Sequence, residues 1–173
     1  MDLRVRSFCT ACVLLLLSVN SVLAELASSR DTLRGHHNVF ISVTTPETAD
    51  AIGKLRLVKS SLERYLVDEL KKSQIHASVR FTDQTLILEV HIDIHRVTQS
   101  NKADVFAFIS RFDAIQAVQL VNRQAALATT WRATQFGAVT PDQAGLLRSS
   151  VIKNLQQFIG DWEAANSAPN QSP

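Results

Sequence analysis

Cysteine is almost absent from this chain, and its two copies lie close to the start. Of 173 residues, only Cys9 and Cys12 carry a thiol. A chain that loses its N-terminal segment during export would therefore have no cysteine. Such a chain has no disulfide, no thiol nucleophile and no thiolate metal site. Its hydrophobic core alone must then stabilise the fold.

Several motifs of catalysis and nucleic-acid binding are also missing. The sequence has no Gly-x-Ser-x-Gly turn, no Gly-rich phosphate loop and no His-Glu-x-x-His pair. It has no run of basic residues interleaved with aromatic residues, which excludes the usual nucleic-acid footprint. Glycine and proline number only 5 and 4, and no low-complexity stretch interrupts the middle of the chain. We therefore expect a globular protein that is not an enzyme and carries no cofactor.

The first 24 residues have the three parts of an export signal. Arg4 and Arg6 form a short positive region, and an apolar run follows over residues 11–17. Val22 and Ala24 are the small residues expected at the third and first positions before a signal-peptidase cut. The apolar run is much shorter than the roughly 20 residues that span a bilayer. We expect cleavage after Ala24, no stable membrane span afterwards, and a periplasmic or secreted protein.

Removal of the signal leaves a chain of the length of one domain. We expect a flexible leader over residues 25–35, a single α+β domain over 36–166 and a disordered tail over 167–173. The cleaved chain has 16 basic and 15 acidic side chains, because the signal holds two arginines and one aspartate. A net charge near +1 indicates no preference for a polyanionic partner.

The first half of the domain predicts one helix among three strands. A strand is expected over residues 38–44, and Thr45-Pro46 is typical of a helix start. The helix should run over 46–73, with an apolar stripe that includes Leu62, Leu66 and Leu70. Short and long strands follow over 77–81 and 86–95. The longer one alternates apolar and polar residues without interruption.

The second half predicts a hairpin and a closing helix. Strands are expected over 104–121 and 125–136, joined by a hinge at 121–123. The helix begins at Thr140-Pro141-Asp142-Gln143, which has the pattern of a capping box. The order β-α-β-β-β-β-α favours an antiparallel sheet of about five strands with both helices on one face. Trp131 and Trp162 are expected in its core.

Three stretches together resemble a family of small exported bacterial proteins with no assigned activity. They are Leu33-Arg34-Gly35 with Val39-Phe40-Ile41-Ser42-Val43, Ala128-Thr129-Thr130-Trp131 with Gly137, and the end of the last helix from Phe158 to Asn166. The resemblance implies a similar order of strands and helices and a location outside the cytoplasm. It implies no catalytic residue.

One cluster could bind a metal ion: the polar face of the strand over 86–95. His91, Asp93 and His95 follow Glu89 at every second position. Residues two apart on a strand are about 7 Å apart, and His91 and His95 are four apart. Their imidazoles are therefore roughly twice that distance from each other, too far to share an ion. A Zn²⁺ site would need Asp93, one histidine and a ligand from a neighbouring strand, such as His76. The alternative is an ordinary solvated strand face.

Two functions therefore stay open. The first is a non-catalytic binding or accessory module that holds a protein or small ligand on the uncovered face of its sheet. An exposed aromatic or aliphatic patch on that face would favour it. The second is a divalent metal-binding protein that uses His91, Asp93 and His95. Arg111 and Asp113, opposite the phenylalanines of their strand, are expected to pair with neighbouring side chains.

Overall fold

The computed structural model describes residues 29–45, 58–80, 86–97 and 104–167. The predicted signal peptide, the predicted helix start at Pro46 and the tail from residue 168 lie outside the described residues. Residues 81–85 and 98–103, on either side of the strand over 86–97, also lie outside the described residues.

The described residues form a five-stranded sheet. Its strands are β1 (Asn38–Thr44), β2 (His76–Ser78), β3 (Leu86–Val97), β4 (Val105–Gln119) and β5 (Ala125–Val139). They lie side by side in the order β2-β1-β3-β4-β5. The α+β class and the predicted order of elements are confirmed. All five predicted strands are present, with ends that coincide with the prediction or differ from it by at most three residues.

The sheet is mixed, which corrects the prediction of an antiparallel sheet. β3 with β4 and β4 with β5 are antiparallel, but β1 runs parallel to both β2 and β3. The cause is the helix between β1 and β2, because a crossover of this kind brings the next strand back in the same direction. β1 thereby inserts between β2 and β3. β2 and β3, which are consecutive in sequence, are therefore not neighbours.

Two helices are described, α1 (Lys59–Lys72) and α2 (Gly145–Ser167). A short 3₁₀ helix over Pro141–Gln143 precedes α2. The capping box predicted at Thr140 is wrong, because its side chain makes no bond to a free helix N–H. The Thr140 hydroxyl instead lies 3.1 Å from Gln143 Oε1. The tighter 3₁₀ turn replaces the α-helical start that this pattern predicts.

Both helices pack on the same face of the sheet, as predicted. β3 alternates without a break: its even-numbered apolar residues from Leu86 to Ile94 are buried, and the residues between them are more exposed. Leu66 and Leu70 of α1 join the same apolar cluster as the stripe of α2. That stripe consists of Leu147, Val151, Leu155, Phe158 and Trp162, all buried. One continuous core therefore holds the described elements together.

The packed domain begins before the predicted boundary at residue 36. Residues 29–35 form a helical turn, and Leu33 is completely buried in the core. Its backbone and that of Gly35 are bonded to the Asn166 side chain at the end of α2. This part of the predicted leader is thus part of the domain, because an apolar side chain that is buried so fully anchors its backbone.

Candidate binding face of the sheet

One face of the sheet is not covered by α1 or α2, and we call it the open face. Side chains of a strand alternate between the two faces, so the residues between the buried positions of β3 and β4 point to it. Cross-strand pairing places them in rows. One row joins Glu89, Asp113 and Arg132, and the next joins His91 and Arg111. These five residues are the charged cluster of the open face.

Asp113 is at the centre of this cluster. It is only 3% exposed, although it lies on the face away from the helices. Arg132 Nε donates a hydrogen bond of 2.5 Å to its Oδ1, and Arg111 Nε lies 3.0 Å from its Oδ2. Asp113 raises the pKa of Arg132 above its ordinary value, first through this hydrogen bond and then through its charge. The buried carboxylate therefore has two arginines as neighbours. This agrees with the expectation that Asp113 pairs with neighbouring side chains, although Arg132 was not named as one of them.

The two arginines do not contribute equally. Arg111 Nε is buried and has no hydrogen-bond partner of suitable angle, even though an oxygen of Asp113 is 3.0 Å away. Its attraction to the carboxylate is therefore chiefly electrostatic. Arg132 has both the short contact and the hydrogen-bond geometry. It is the partner that fixes the orientation of Asp113.

The predicted metal residues are not brought to one point. His91 Nε2 lies 3.0 Å from Glu89 Oε2, and across the strands His91 faces Arg111, whose charge opposes a cation. Asp93 and His95 are exposed and face Ile109 and Ala107, which cannot bind a metal ion.

A ligand from another strand is also lacking. His76 lies on β2, which β1 separates from β3. In the described ranges no group of three His, Cys, Asp or Glu residues could hold a metal ion. The Zn²⁺ site at His91, Asp93 and His95 thus gains no support from the structure.

Beside the charged cluster, β4 and β5 carry two exposed apolar side chains on the open face. Phe136 of β5 is 82% exposed and lies next to Ile109 of β4, which is 42% exposed. We call these two residues the apolar patch. No face of the sheet was predicted for Phe136. Alternation along β5 would have placed it on the open face, because it is an odd number of positions from the buried Trp131 and Ala133.

Residues from each of the three stretches that carry the family resemblance contact one another in the structure. Trp131 Nε1 donates a hydrogen bond of 3.0 Å to Asp161 Oδ2, and Trp131 packs edge-on against Phe158. Gly35 N donates to Asn166 Oδ1 over 2.8 Å. The φ of Gly35 is +76°, a conformation that favours glycine. These residues hold the N-terminal turn, β5 and α2 together, so their role is structural.

Comparison with known proteins gives no family. No protein-family model matches the chain, and no curated protein matches it. Among solved structures, a minor lipoprotein from Acinetobacter baumannii is similar, at 14% identity and a TM-score of 0.40, over 81% of this chain and 99% of that one. The rare lipoprotein B from Shewanella oneidensis is 16% identical, with a TM-score of 0.26, over 74% and 87% of the two chains. Values this low support no conclusion about binding or activity.

Among the described residues, no helix combines the length and the apolar character needed to cross a membrane.

Proposed function

We propose that this chain is a non-catalytic binding module of the bacterial envelope, which holds a protein partner against the open face of its sheet. The observation that carries the proposal is the apolar patch. Phe136 is a large aromatic side chain that lies almost wholly in solvent on a rigid strand. Tyr, Trp and Phe are enriched where proteins bind one another. A patch flanked by polar residues is typical of an interaction site.

The charged cluster can contribute to the binding of a partner. Its buried carboxylate is held by Arg132 and Arg111, and Glu89 is held by His91. Such a cluster can orient a partner through the exposed parts of its arginines, since polar contacts around an apolar centre give specificity.

The location in the envelope rests on the export signal of residues 1–24. The positive region, the apolar run and the small residues before the expected cut are the three parts that signal peptidase requires. The mature protein should begin at Glu25. N-terminal sequencing of the protein recovered from the envelope fraction tests this. A retained Met1 in the recovered protein would contradict it.

Site-specific photo-crosslinking tests the binding face directly. A benzophenone amino acid is placed at Phe136 or Ile109 and, as a control, at Gln156, which is exposed on α2. We expect one discrete crosslinked protein from both open-face positions and none from the control. The same products from all three positions, or none from Phe136 and Ile109, would refute the proposal.

A further inference from the structure

The outer edge of β5 is the longest unpaired strand edge of the described residues. β5 has fifteen residues and pairs only with β4, whereas the opposite edge is the three-residue β2. Natural edge strands are usually protected by proline, by lysine or by being short. β5 has no proline, no lysine and no acidic residue, and Arg132 is its one charged residue. It is therefore open to pairing with another strand.

One part of this edge is already in use. The Thr32 hydroxyl of the N-terminal turn lies 3.3 Å from the carbonyl oxygen of Thr130. Gln116 donates to the Thr130 hydroxyl and to the Thr32 carbonyl, which fixes the turn at this point. The edge beyond it, over residues 132–139, is long enough for an ordinary strand of about five or six residues.

A groove runs along this second part of the edge. It has a volume of about 230 Å³ and is lined by four consecutive residues of β5, from Gln135 to Ala138. Consecutive side chains point to opposite faces, so a wall that includes all four must be formed by the edge of the strand itself. The other wall is α2, with Leu146, Ser149, Ser150 and Lys153.

The floor of the groove is apolar because of Gly137. Phe108 is paired with Gly137 across the strands and lines the groove. A Cβ on residue 137 would lie 3.0 Å from two carbons of the Phe108 ring, closer than such atoms ordinarily approach. The missing side chain lets the ring lie against the strand. A partner side chain that enters the groove therefore meets an aromatic surface.

The charge of the groove has one sign. Lys153 is the charged residue of its lining, which contains no carboxylate. A bound strand with an acidic side chain on the groove side would complement it. A second copy of β5 would not, because it would bring no carboxylate.

We propose that the edge of β5 over residues 132–139 accepts an extended, acidic segment of a protein partner as a sixth strand. This rests on the proposed function and names the form that the partner takes. Backbone hydrogen bonds to β5 supply the affinity, and alternate side chains of the segment supply specificity. One set enters the groove over Phe108, next to Lys153. The other set lies on the open face beside Phe136.

The test uses a phage-displayed library of random decapeptides, selected against the full mature chain. We expect enriched peptides that alternate apolar and acidic residues, and that slow hydrogen exchange of backbone amides over residues 132–139. Lys153→Glu should weaken their binding about tenfold or more, and a peptide with lysine in place of its acidic residue should restore it. Lys71→Glu is the control. It makes the same charge change at an exposed site on α1 and should leave binding unchanged.

Four results would overturn strand addition. The first is a library that yields no enriched peptide, and the second is a set of enriched peptides that leave hydrogen exchange over residues 132–139 unchanged. The third is a dimer of the mature chain that protects the same amides. The fourth is peptide binding that depends on Phe136 and Ile109 but not on Lys153. In that case the open face would still bind, so the proposed function would survive without the proposed strand.

Discussion

Asp113 offers the sharpest test of how the open face is built. The substitution Asp113→Asn keeps the shape of the side chain and removes its charge. It leaves the two arginines around it without their counter-ion. We expect the free energy of unfolding to fall, because a buried position that is built for a carboxylate then faces two uncompensated guanidinium groups.

The size of the loss follows from the exposure of the three side chains. Breaking a fully buried ion pair costs about 3–5 kcal/mol, and an exposed pair contributes about 0–1 kcal/mol. Asp113 is buried, but the arginine side chains are 36% and 55% exposed, so water can solvate them once the carboxylate is lost. We therefore expect a loss of about 2 kcal/mol, between the two limits.

Urea denaturation of matched variants measures this loss. Asp93→Asn is the control, since Asp93 is an exposed carboxylate on β3, and should change stability by less than about 0.5 kcal/mol. Arg132→Met should cost about 1 kcal/mol in the native sequence and much less in the Asp113→Asn background. Equal losses for Asp113→Asn and Asp93→Asn would refute the reasoning. So would an Arg132→Met cost that does not depend on residue 113.

Three further predictions concern the core, the N-terminal turn and the metal hypothesis. Asn154→Ala should lower the free energy of unfolding by about 1–3 kcal/mol, because the Asn154 amide donates a hydrogen bond of 2.8 Å to the Ser110 carbonyl inside the core. Thermal denaturation measures this loss. A loss no larger than that of an exposed-site variant would contradict the prediction. Asp161→Ala should loosen the N-terminal turn and speed proteolysis after Arg30, whose guanidinium is bonded to Asp161. Unchanged cleavage would contradict a role of this ion pair in holding the turn. Zinc titration of the mature chain should show no tight site, since the polar side chains of β3 have no third ligand among the described residues. Micromolar binding that is lost when both histidines of β3 are replaced would restore the metal hypothesis.

Much of the fold could be predicted from local patterns. The uninterrupted alternation of β3 and the apolar stripe of α2 fix which side chains are buried, because each element has one apolar face to cover. The core positions of Trp131 and Trp162 follow in the same way. The hinge of the β4–β5 hairpin was also predicted, and Arg123 in it has a φ of +65°.

Pairing between distant strands could not be predicted in this way. Nothing in the sequence of β1 indicates that it lies between β2 and β3, because the pattern of a strand fixes its buried face and not its neighbours. The helical crossover accounts for the parallel pairing of β1 with β2, but the parallel pairing of β1 with β3 was not predicted. Leu33 was missed for a similar reason, since a short segment with a single buried leucine has no period.

The candidate site was predicted only in part. Arg111 and Asp113 were expected to pair with neighbouring side chains, but the contact of Asp113 with Arg132 depends on the register between β4 and β5. The same register places Phe136 beside Ile109. The metal hypothesis required a ligand from a neighbouring strand, such as His76. The strand order could not be predicted, and it places β1 between His76 and β3. On the other side of β3, the residues opposite His91, Asp93 and His95 are an arginine, an isoleucine and an alanine.

The central claim is that the open face binds a protein partner through its apolar patch. The decisive measurement is the affinity of the crosslinked partner for three forms of the mature domain: the native form, Phe136→Ser and Val58→Ser. Val58 is the control, because it is an exposed apolar side chain before α1. Burial of a phenylalanine side chain contributes about 1.5–3 kcal/mol to binding. We therefore predict that Phe136→Ser weakens binding roughly tenfold to a hundredfold, and that Val58→Ser leaves the affinity unchanged. Equal affinity of all three forms would contradict it.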